Sequence, residues 1–343
     1  MLVSRITARG RRWIRSARRS VRVVAGCALL VAAIAPPAAA QPTNSRVTLI
    51  VPASAGGSTD VIARVLGEHM ARTLDRIVVI ENVSGGATTV ASARTAASAP
   101  DGTTVLVAQL PLLAAPFLFT GLSYDTRTAF APVGLINAGH TVLMARKQLA
   151  QSPTEAVAWL RANGTSANIG HGGIGSSGHF CALLLARALG VRPAFIAYRG
   201  GGPAMTDLVG GTLDMVCDQS TNAVPQVQAG AVQGILVAGP ARIASISAVP
   251  TAAELGLPDV SLAVWHGMYV ARSTPTAVIG RLNAALGTAL ADQAIVARFG
   301  QLGTSVFPPD QRSPQAHAAM FEAEYQRLGS LLSGMGITPQ TVE

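Results

Sequence analysis

Short apolar runs alternate with amphipathic helical patterns along almost the whole of this 343-residue chain. A strand buried on both faces shows as a short apolar run, whereas a helix shows apolar residues three and four positions apart. Their alternation predicts an α/β fold with largely parallel sheets. The runs that predict strands are 47–51, 77–80, 105–108, 133–136, 142–145, 213–217, 235–238 and 267–270. The patterns that predict helices are 61–74, 87–97, 154–162, 179–189, 204–209, 224–229, 251–255, 275–292 and 315–332.

Residues 1–40 have the composition of a secretory signal. They contain eight arginines and no acidic residue, and the apolar run from Val23 to Ile34 is followed by Ala38-Ala39-Ala40. This order of a basic region, an apolar core and small residues is read by signal peptidases. We therefore expect cleavage after Ala40 and a mature chain that begins at Gln41.

Two weaker export patterns lie in the same segment. The pair Arg18-Arg19 resembles a twin-arginine signal, and the residues around Cys27 match a lipoprotein box, although the apolar core continues past Cys27. Removing forty residues from 343 leaves 303, a length that favours two lobes. Lys+Arg then falls from 26 to 18 against 17 Asp+Glu, so the formal charge is +1 rather than +9. The basic composition therefore gives no indication of nucleic-acid binding.

The segment from Val51 to Asp60 reads V-P-A-S-A-G-G-S-T-D and joins a predicted strand to a predicted helix. Its two glycines leave backbone N–H groups at the positive end of the helix dipole, an arrangement that suits a carboxylate or a phosphate. Thr59 or Asp60 is expected to cap the helix. A plain strand-to-helix turn is the alternative interpretation.

A second glycine loop, Gly170 to His179, reads G-H-G-G-I-G-S-S-G-H and also precedes a helical pattern. Within it Gly173 to Gly178 fits the dinucleotide fingerprint G-x-G-x-x-G. The acid that would hold a ribose is missing, because Ser177 to Thr206 contains no Asp or Glu. Arg199 remains available for an NADP-type phosphate. A second anion site, with two serine hydroxyls at the helix start, is the simpler hypothesis.

Other chemistries lack their residue patterns. There is no G-x-S-x-G elbow, and the only lysine, Lys147, belongs to no phosphate-binding loop. The six histidines show no metal-ligand spacing. Trp265 and His266 fit either a cleft wall or a core. Cys181 and Cys217 are the cysteines of the mature chain, and buried free thiols are expected, with a disulfide as the alternative.

Two further positions are candidate ligand contacts. Tyr198 and Arg199 precede Gly200-Gly201-Gly202, which places them either at a cleft edge or on a solvated turn. Asp218 follows a predicted strand and either accepts a hydrogen bond from a ligand hydroxyl or amine or caps the next turn.

Eight short segments in this order resemble the Bug family, the TctC-like extracytoplasmic solute receptors of tripartite tricarboxylate transporters. The resemblance covers about Arg46 to Thr338. The segments are Val51-Pro52 with Gly56 to Asp60 and Arg64, Glu81-Asn82 with Gly85, Pro100 to Thr104, Tyr124-Asp125, Gly173 to His179, Tyr198-Arg199-Gly200, Val249-Pro250-Thr251 with Glu254-Leu255-Gly256, and Trp265-His266-Gly267.

The resemblance implies a two-lobed periplasmic binding protein of type II with crossover strands between the lobes. It also implies that the loops Ser54 to Asp60 and Gly173 to His179 hold a ligand carboxylate. We expect lobe 1 to comprise 46–138 and 264–343, and lobe 2 to comprise 139–263. The expected ligand-binding residues are Ser54, Ala55, Gly56, Gly57, Ser58, Thr59, Asp60, Gly173, Gly175, Ser176, Ser177, His179, Tyr198 and Asp218.

These expectations define a function. The chain is predicted to be a periplasmic, monomeric receptor that captures a small carboxylate for the membrane carrier subunits of a tripartite transporter, without enzymatic activity, cofactor, metal or nucleic acid. An NADP-binding oxidoreductase and a ligand-sensing receptor for a signalling partner are the alternatives. The sequence leaves open which carboxylate is bound.

Overall fold

The computed structural model describes residues 46–334 and 338–341. The predicted signal and its cleavage site after Ala40 lie outside the described residues. The strands are β1 (Arg46–Val51), β2 (Ile77–Asn82), β3 (Thr104–Ala108), β4 (Phe119–Thr120), β5 (Phe130–Ala145), β6 (Asn168–His171), β7 (Ala194–Ala197), β8 (Met215–Gln219), β9 (Gln233–Ala238), β10 (Ala263–Ala271), β11 (Thr304–Val306) and β12 (Gln340–Thr341). The helices are α1 (Ser58–Leu74), α2 (Thr89–Ala96), α3 (Leu110–Leu118), α4 (Pro153–Ala162), α5 (Ser177–Leu189), α6 (Gly201–Val209), α7 (Ser220–Gln228), α8 (Thr276–Ala291), α9 (Gln293–Gln301) and α10 (Pro314–Gly334). In these ranges no helix is long and apolar enough to cross a membrane.

Ten of the strands form one sheet whose two halves share the long strand β5. In the first half β2, β1 and β3 run parallel, and β10 lies antiparallel between β3 and β5. In the second half β5 pairs antiparallel with β8 and β9, while β8, β6 and β7 run parallel. β11 also pairs with β5, as far as Gly139, and the second set of partners begins at Thr141. A single strand therefore crosses from one half to the other.

This topology is that of a two-lobed solute-binding fold, as the sequence analysis predicts. The division into 46–138, 139–263 and 264–343 stays a prediction. The prediction of largely parallel sheets is correct for the outer strands and wrong for the central ones, because every pairing made by β5 or β10 is antiparallel. A strand that returns through both lobes must run against its neighbours in at least one of them.

The predicted apolar stripe of α1 is buried as expected. Ile62, Leu66 and Met70 have no exposed surface and belong to one apolar cluster with Val105 of β3 and Leu286 of α8. Burial of side chains of this size contributes about 1.5–3 kcal/mol each. This packing fixes the axis of α1, and with it the position of the loop that precedes the helix.

Several elements differ from the sequence predictions. The runs 133–136 and 142–145 belong to the single strand β5, and 251–255 holds only a strand bridge and the short 3-10 turn Ala253–Leu255. Helix α3 was not predicted, because its apolar residues surround it on all sides and leave no periodicity to detect. Cys181 of α5 and Cys217 of β8 are buried free thiols with their sulfur atoms 2.7 Å apart.

Candidate functional site

Six helices begin around one small cavity, which we call the inner cavity. Its volume is about 50 Å³. Helices α1, α2, α3, α5, α6 and α7 all contribute residues from their first turn or from the positions just before it. The lining residues are Pro52, Ala53, Gly57, Ser58, Thr59, Thr88, Ala108, Gln109, Pro111, Leu112, Gly172, Ser176, Ser177, Gly200, Gly201, Asp218 and Gln219. Because each helix start carries partial positive charge, their convergence makes the cavity a favourable place for an anion.

The first glycine loop presents an uncapped helix start to this cavity. Gly57 is the N-cap of α1, and no side chain accepts a hydrogen bond from the first turn. The cap prediction for Thr59 and Asp60 is therefore wrong, since both lie inside the helix. The amide N–H groups of Gly57, Ser58, Thr59 and Asp60 have no acceptor among the described residues. Ser58 is 5% exposed, and its buried hydroxyl also lacks a partner there.

The Asp60 side chain turns away from the helix start and holds the loop instead. Its carboxylate accepts hydrogen bonds from the Gly56 N–H at 2.9 Å, Arg64 Nε at 2.8 Å and Asn82 Nδ2 at 3.0 Å. Burial alone would raise the pKa of Asp60, but the bonds from Arg64, Gly56 and Asn82 outweigh burial and lower it. The carboxylate is therefore ionised and fully engaged within its own loop.

The second glycine loop binds some of its own N–H groups. Ser176 caps α5, because its hydroxyl accepts a hydrogen bond from the His179 N–H at 3.1 Å. The Gly175 N–H donates to His179 Nδ1 at 3.2 Å, and His171 Nδ1 donates to the Gly173 carbonyl at 3.0 Å. The N–H groups of Gly172, Ile174, Ser177 and Gly178 have no acceptor among the described residues.

The two histidines of this loop stack with their ring centroids 4.6 Å apart. Burial, with a smaller contribution from the neighbouring His171, lowers the pKa of His179 to about 3. Burial also lowers the pKa of His171 against the opposing effect of its contact with Gly173. Both rings are therefore neutral near pH 7, and both shape the loop, His179 as an acceptor for the Gly175 N–H and His171 as a donor to the Gly173 carbonyl.

Asp218 lies at the end of β8 and is buried in the wall of the inner cavity. Its carboxylate accepts from the Gln219 N–H at 2.7 Å and from Asn222 Nδ2 at 2.5 Å. Burial raises the pKa of Asp218 to about 6, although both hydrogen bonds oppose that shift. A Cβ atom on Gly201 would come within 2.0 Å of this carboxylate, so only glycine fits at the start of α6.

A larger cavity of about 620 Å³ adjoins the inner cavity, and we call it the vestibule. The two share the residues Pro52, Thr88, Pro111, Gly172 and Ser176. The rest of the vestibule is lined by Gly85, Gly86, Ala87, Phe119, Gly173, Ile174, Ala197, Tyr198, Arg199, Gln340 and Thr341. The vestibule therefore continues the inner cavity outward.

The structure brings most of the predicted site residues to these two cavities. Gly57, Ser58, Thr59, Ser177 and Asp218 line the inner cavity, Ser176 lines both, and Gly173 and Tyr198 line the vestibule. Six other predicted residues line neither cavity. They are Ser54, Ala55, Gly56, Asp60, Gly175 and His179. Of these, Ala55 and Gly56 line a separate open groove beside α6 and α7.

Sequence reasoning did not find Thr88, Gln109 or Gly201. Gly200-Gly201-Gly202 before a helix is a usable signal for the last of these, because it repeats the pattern of the two recognised loops. Gln109 gives no such signal, since it precedes the unpredicted helix α3. Trp265 is 4% exposed and packs edge-on against His317 at 5.7 Å, which makes it a core residue.

The described ranges contain no group of three or more His, Cys, Asp or Glu side chains that could hold a metal ion. His266, which the sequence places near a cleft, is fully buried with a pKa lowered by burial to about 3. Its Nε2 lies 3.2 Å from the Thr59 hydroxyl and supports the first loop from behind. This contact fixes the position of the Thr59 side chain at the inner cavity.

Comparison with known proteins identifies the family and the fold. The profile of the tripartite tricarboxylate transporter family receptor matches residues 62–337. The periplasmic binding protein BugD is 32% identical, with a TM-score of 0.83 over 86% of this chain and 99% of BugD. MatC from Rhodopseudomonas palustris with bound malate is 37% identical, with a TM-score of 0.80 over 84% of this chain and 98% of MatC. A second R. palustris protein, with adipate, is 27% identical, with a TM-score of 0.81 over 87% of this chain and 99% of that one.

The resemblance to the Bug family predicted from the eight sequence segments is thereby confirmed. The fold, the family profile and the similar structures agree over most of the chain. The chain belongs to the tripartite tricarboxylate transporter receptor family, the periplasmic solute-binding proteins of the TctC type.

Proposed function

We propose that this chain is an extracytoplasmic receptor that binds a small carboxylate in the inner cavity and delivers it to the membrane carrier subunits of a tripartite transporter. The observation that carries the proposal is the uncapped start of α1. The N–H groups of Ser58 and Thr59 and the buried Ser58 hydroxyl face the same small space without an acceptor of their own among the described residues. A carboxylate accepts several such hydrogen bonds at once, and each is strengthened by its negative charge.

The remaining inner-cavity residues complete the proposed contacts. The N–H of Ser177 and the helix start of α6 at Gly201 offer further donors from the second half of the molecule. Asp218 is an acceptor, and in this role it receives a hydrogen bond from a ligand hydroxyl. Malate, which the similar MatC structure contains, carries such a hydroxyl, whereas adipate does not.

Closure of the lobes explains how the ligand is bound tightly without any chemical reaction. The Ser54 N–H of the first loop donates to the Arg199 carbonyl at 2.9 Å, and this bond joins the two walls of the cleft. Separating the walls would admit water to the inner cavity, and closing them on a ligand removes it. Hydrogen bonds to a carboxylate are stronger once the surrounding water is excluded. Ligand binding in this scheme stabilises the closed form.

The same proposal covers the remaining properties of the protein. We place it in the periplasm, like the periplasmic binding protein BugD to which it is similar, and we propose that it acts as a monomer. It acts by binding alone, without catalysis or a cofactor.

The proposal is tested by thermal unfolding of the purified protein with malate, with adipate and with NADPH. A ligand at one hundred times its Kd stabilises the native state by roughly 2.7 kcal/mol, which raises the Tm by several degrees for a chain of this size. At least one carboxylate is expected to produce that shift and NADPH none. Stoichiometric NADPH binding, or NADPH oxidation with a panel of carbonyl compounds, would contradict the proposal and favour an oxidoreductase.

A further inference from the structure

The inner cavity is too small for a whole dicarboxylate. A water-sized group needs about 10–15 Å³ of such space, so a volume of about 50 Å³ holds a carboxylate and the carbon that carries it. The rest of any longer ligand must extend into the vestibule, which has about 620 Å³ and shares five lining residues with the inner cavity. The chemistry of the vestibule therefore selects the outer end of the ligand.

The vestibule contains one charged side chain among its lining residues, Arg199, and no acidic residue. Within residues 46–334 and 338–341 the Arg199 guanidinium has no ion pair and no hydrogen bond with a side chain or a carbonyl. The neighbouring acid Asp207 is engaged instead by the Tyr198 hydroxyl, which donates to it at 2.5 Å. Arg199 is exposed and lines the vestibule, so it is an uncompensated cation beside the continuous binding space that the two cavities form.

The backbone around Arg199 is held on both sides of the cleft. The Arg199 carbonyl accepts from the Ser54 N–H at 2.9 Å, and the Tyr198 N–H donates to the His171 carbonyl at 3.0 Å. A Cβ atom on Gly200 would lie 2.5 Å from the Ser54 hydroxyl, so the two loops approach as closely as glycine permits. A side chain that projects from a fixed backbone loses less freedom when it binds a ligand.

From this geometry we infer that Arg199 binds the second carboxylate of a dicarboxylate whose first carboxylate occupies the inner cavity. This inference rests on the proposed function and names the class of ligand at its site. Guanidinium and carboxylate form paired, charge-assisted hydrogen bonds. An ammonium group at the outer end of a ligand is disfavoured, because no acid lines the vestibule to receive it. The site accordingly selects dicarboxylates long enough to span both cavities over monocarboxylates of the same length.

Adipate and hexanoate provide a matched pair of probes, since both have six carbons and hexanoate lacks the second carboxylate. Their Kd values, and that of malate, are measured by calorimetry for the wild type, Arg199→Gln, Arg199→Lys and the control Arg192→Gln. Arg192 is exposed and lines neither cavity. The wild type is expected to bind adipate at least tenfold more tightly than hexanoate, as removal of a charged hydrogen bond typically weakens binding by about that factor or more.

Arg199→Gln should weaken adipate binding about tenfold and leave hexanoate binding unchanged. Arg199→Lys should keep part of the preference, because it retains the charge without the planar pair of donors. Arg192→Gln should change neither affinity. The adipate preference should also shrink with added salt in the wild type and not in Arg199→Gln.

The outcomes separate this inference from the proposed function. If no carboxylate of the panel binds the wild type, the proposed function itself fails. If a carboxylate of the panel binds but adipate binds no more tightly than hexanoate, the second carboxylate is not recognised in the vestibule and the inference alone is overturned. The same holds if Arg199→Gln weakens adipate and hexanoate equally, because Arg199 then acts on loop closure and not on the second carboxylate.

Discussion

The two glycine loops are alike in sequence and differ in how their hydrogen bonds are used. The first loop leaves the start of α1 uncapped, with several N–H groups available, while the Asp60 carboxylate is engaged elsewhere. In the second loop the Ser176 hydroxyl caps α5, and the neutral His179 ring accepts the Gly175 N–H group. A glycine loop before a helix can donate to an anion only where its N–H groups are left free. In the proposed function the first loop is accordingly the main donor to the ligand, and the second shapes the opposite wall.

The largest expected effect follows from placing a negative charge in each loop. Ser58→Asp should weaken the binding of malate or adipate by at least about a hundredfold, because two like charges at a partly desolvated site repel by several kcal/mol. Ser176→Asp should weaken binding less, since Ser176 lies where the two cavities join. Calorimetric titration of both variants measures the difference.

Both substitutions have an internal control for folding. An acid in the first turn of α1 interacts favourably with the helix dipole, and Asp is as good an N-cap as Ser at position 176. The Tm of each ligand-free variant should therefore equal or exceed that of the wild type. Equal losses of affinity in the two variants would show that both loops contribute equally to ligand binding. That result would contradict the larger role proposed for the first loop.

Asp218 and Asp60 provide a second comparison. Burial sets the direction of the pKa shift at Asp218, whereas hydrogen bonds set it at Asp60. The pKa of Asp218 is raised to about 6 from 3.8, so its stabilising contribution is complete below pH 3.8 and is lost as the pH rises through about 6. Asp218→Asn removes this penalty of about 3 kcal/mol at pH 7.5, but it also removes one of the two acceptor oxygens, at a cost that does not depend on pH. In denaturant titrations the free energy of unfolding of the variant, relative to the wild type, should therefore be about 2 kcal/mol higher at pH 7.5 than at pH 4.

The same variant tests why an unfavourable charge is kept in the wall of the inner cavity. If Asp218 accepts a bond from the ligand hydroxyl, Asp218→Asn should weaken malate binding and leave succinate, which has no hydroxyl, unaffected. A variant that is more stable and binds malate as well as the wild type would remove Asp218 from the proposed contacts.

His179 of the second loop accounts for a smaller, acid-dependent effect. The folded-state pKa of His179 is about 3, below its usual 6.5, so its contribution is complete above pH 6.5 and is lost as the pH falls toward 3. At pH 5, keeping the ring neutral in the folded state costs about 2 kcal/mol of stability. His179→Asn retains an acceptor for the Gly175 N–H and should reduce the loss of stability between pH 7 and pH 5 by that amount. Unfolding curves at both values that fall in parallel for variant and wild type would contradict this role.

The smallest effect is expected at Asp60, whose charge is compensated by an exposed partner. Asp60→Asn keeps one oxygen for the Gly56 N–H and Arg64 Nε, which both bond to Oδ2, but it loses the charge on that oxygen and the acceptor of the Asn82 amide. The expected loss in the free energy of unfolding is about 1 kcal/mol. Because the pKa of Asp60 is lowered, this contribution exists above its unfolded pKa and disappears in acid. Equilibrium unfolding near pH 7, with Arg64→Gln as the matched control, checks the value.

The sequence predicts the elements of the fold better than the contacts of the site, because local patterns are visible in the sequence and tertiary contacts are not. A stripe such as Ile62, Leu66 and Met70 is a local pattern that survives in the fold, so α1 and its glycine loop were found. Local pattern cannot reveal that 133–136 and 142–145 are one strand, because Asn137 and Gly139, which are common in turns, separate the two apolar runs although β5 continues through them. The cap at Gly57 was missed since the Asp60 carboxylate is drawn away by Arg64 and Asn82, and Asn82 is distant in sequence. Gln109 reaches the site only through the tertiary position of α3.

A structure of the protein crystallised with malate or adipate tests the central claim most directly. The account predicts one ligand carboxylate in the inner cavity, accepting hydrogen bonds from the N–H groups of Ser58 and Thr59 at about 2.7–3.0 Å. It also predicts that Asp60 remains bound to Arg64 and that the hydroxyl of Ser176 continues to cap α5. A carboxylate held in the open groove beside α6 and α7, with the start of α1 bound only to water, would contradict it.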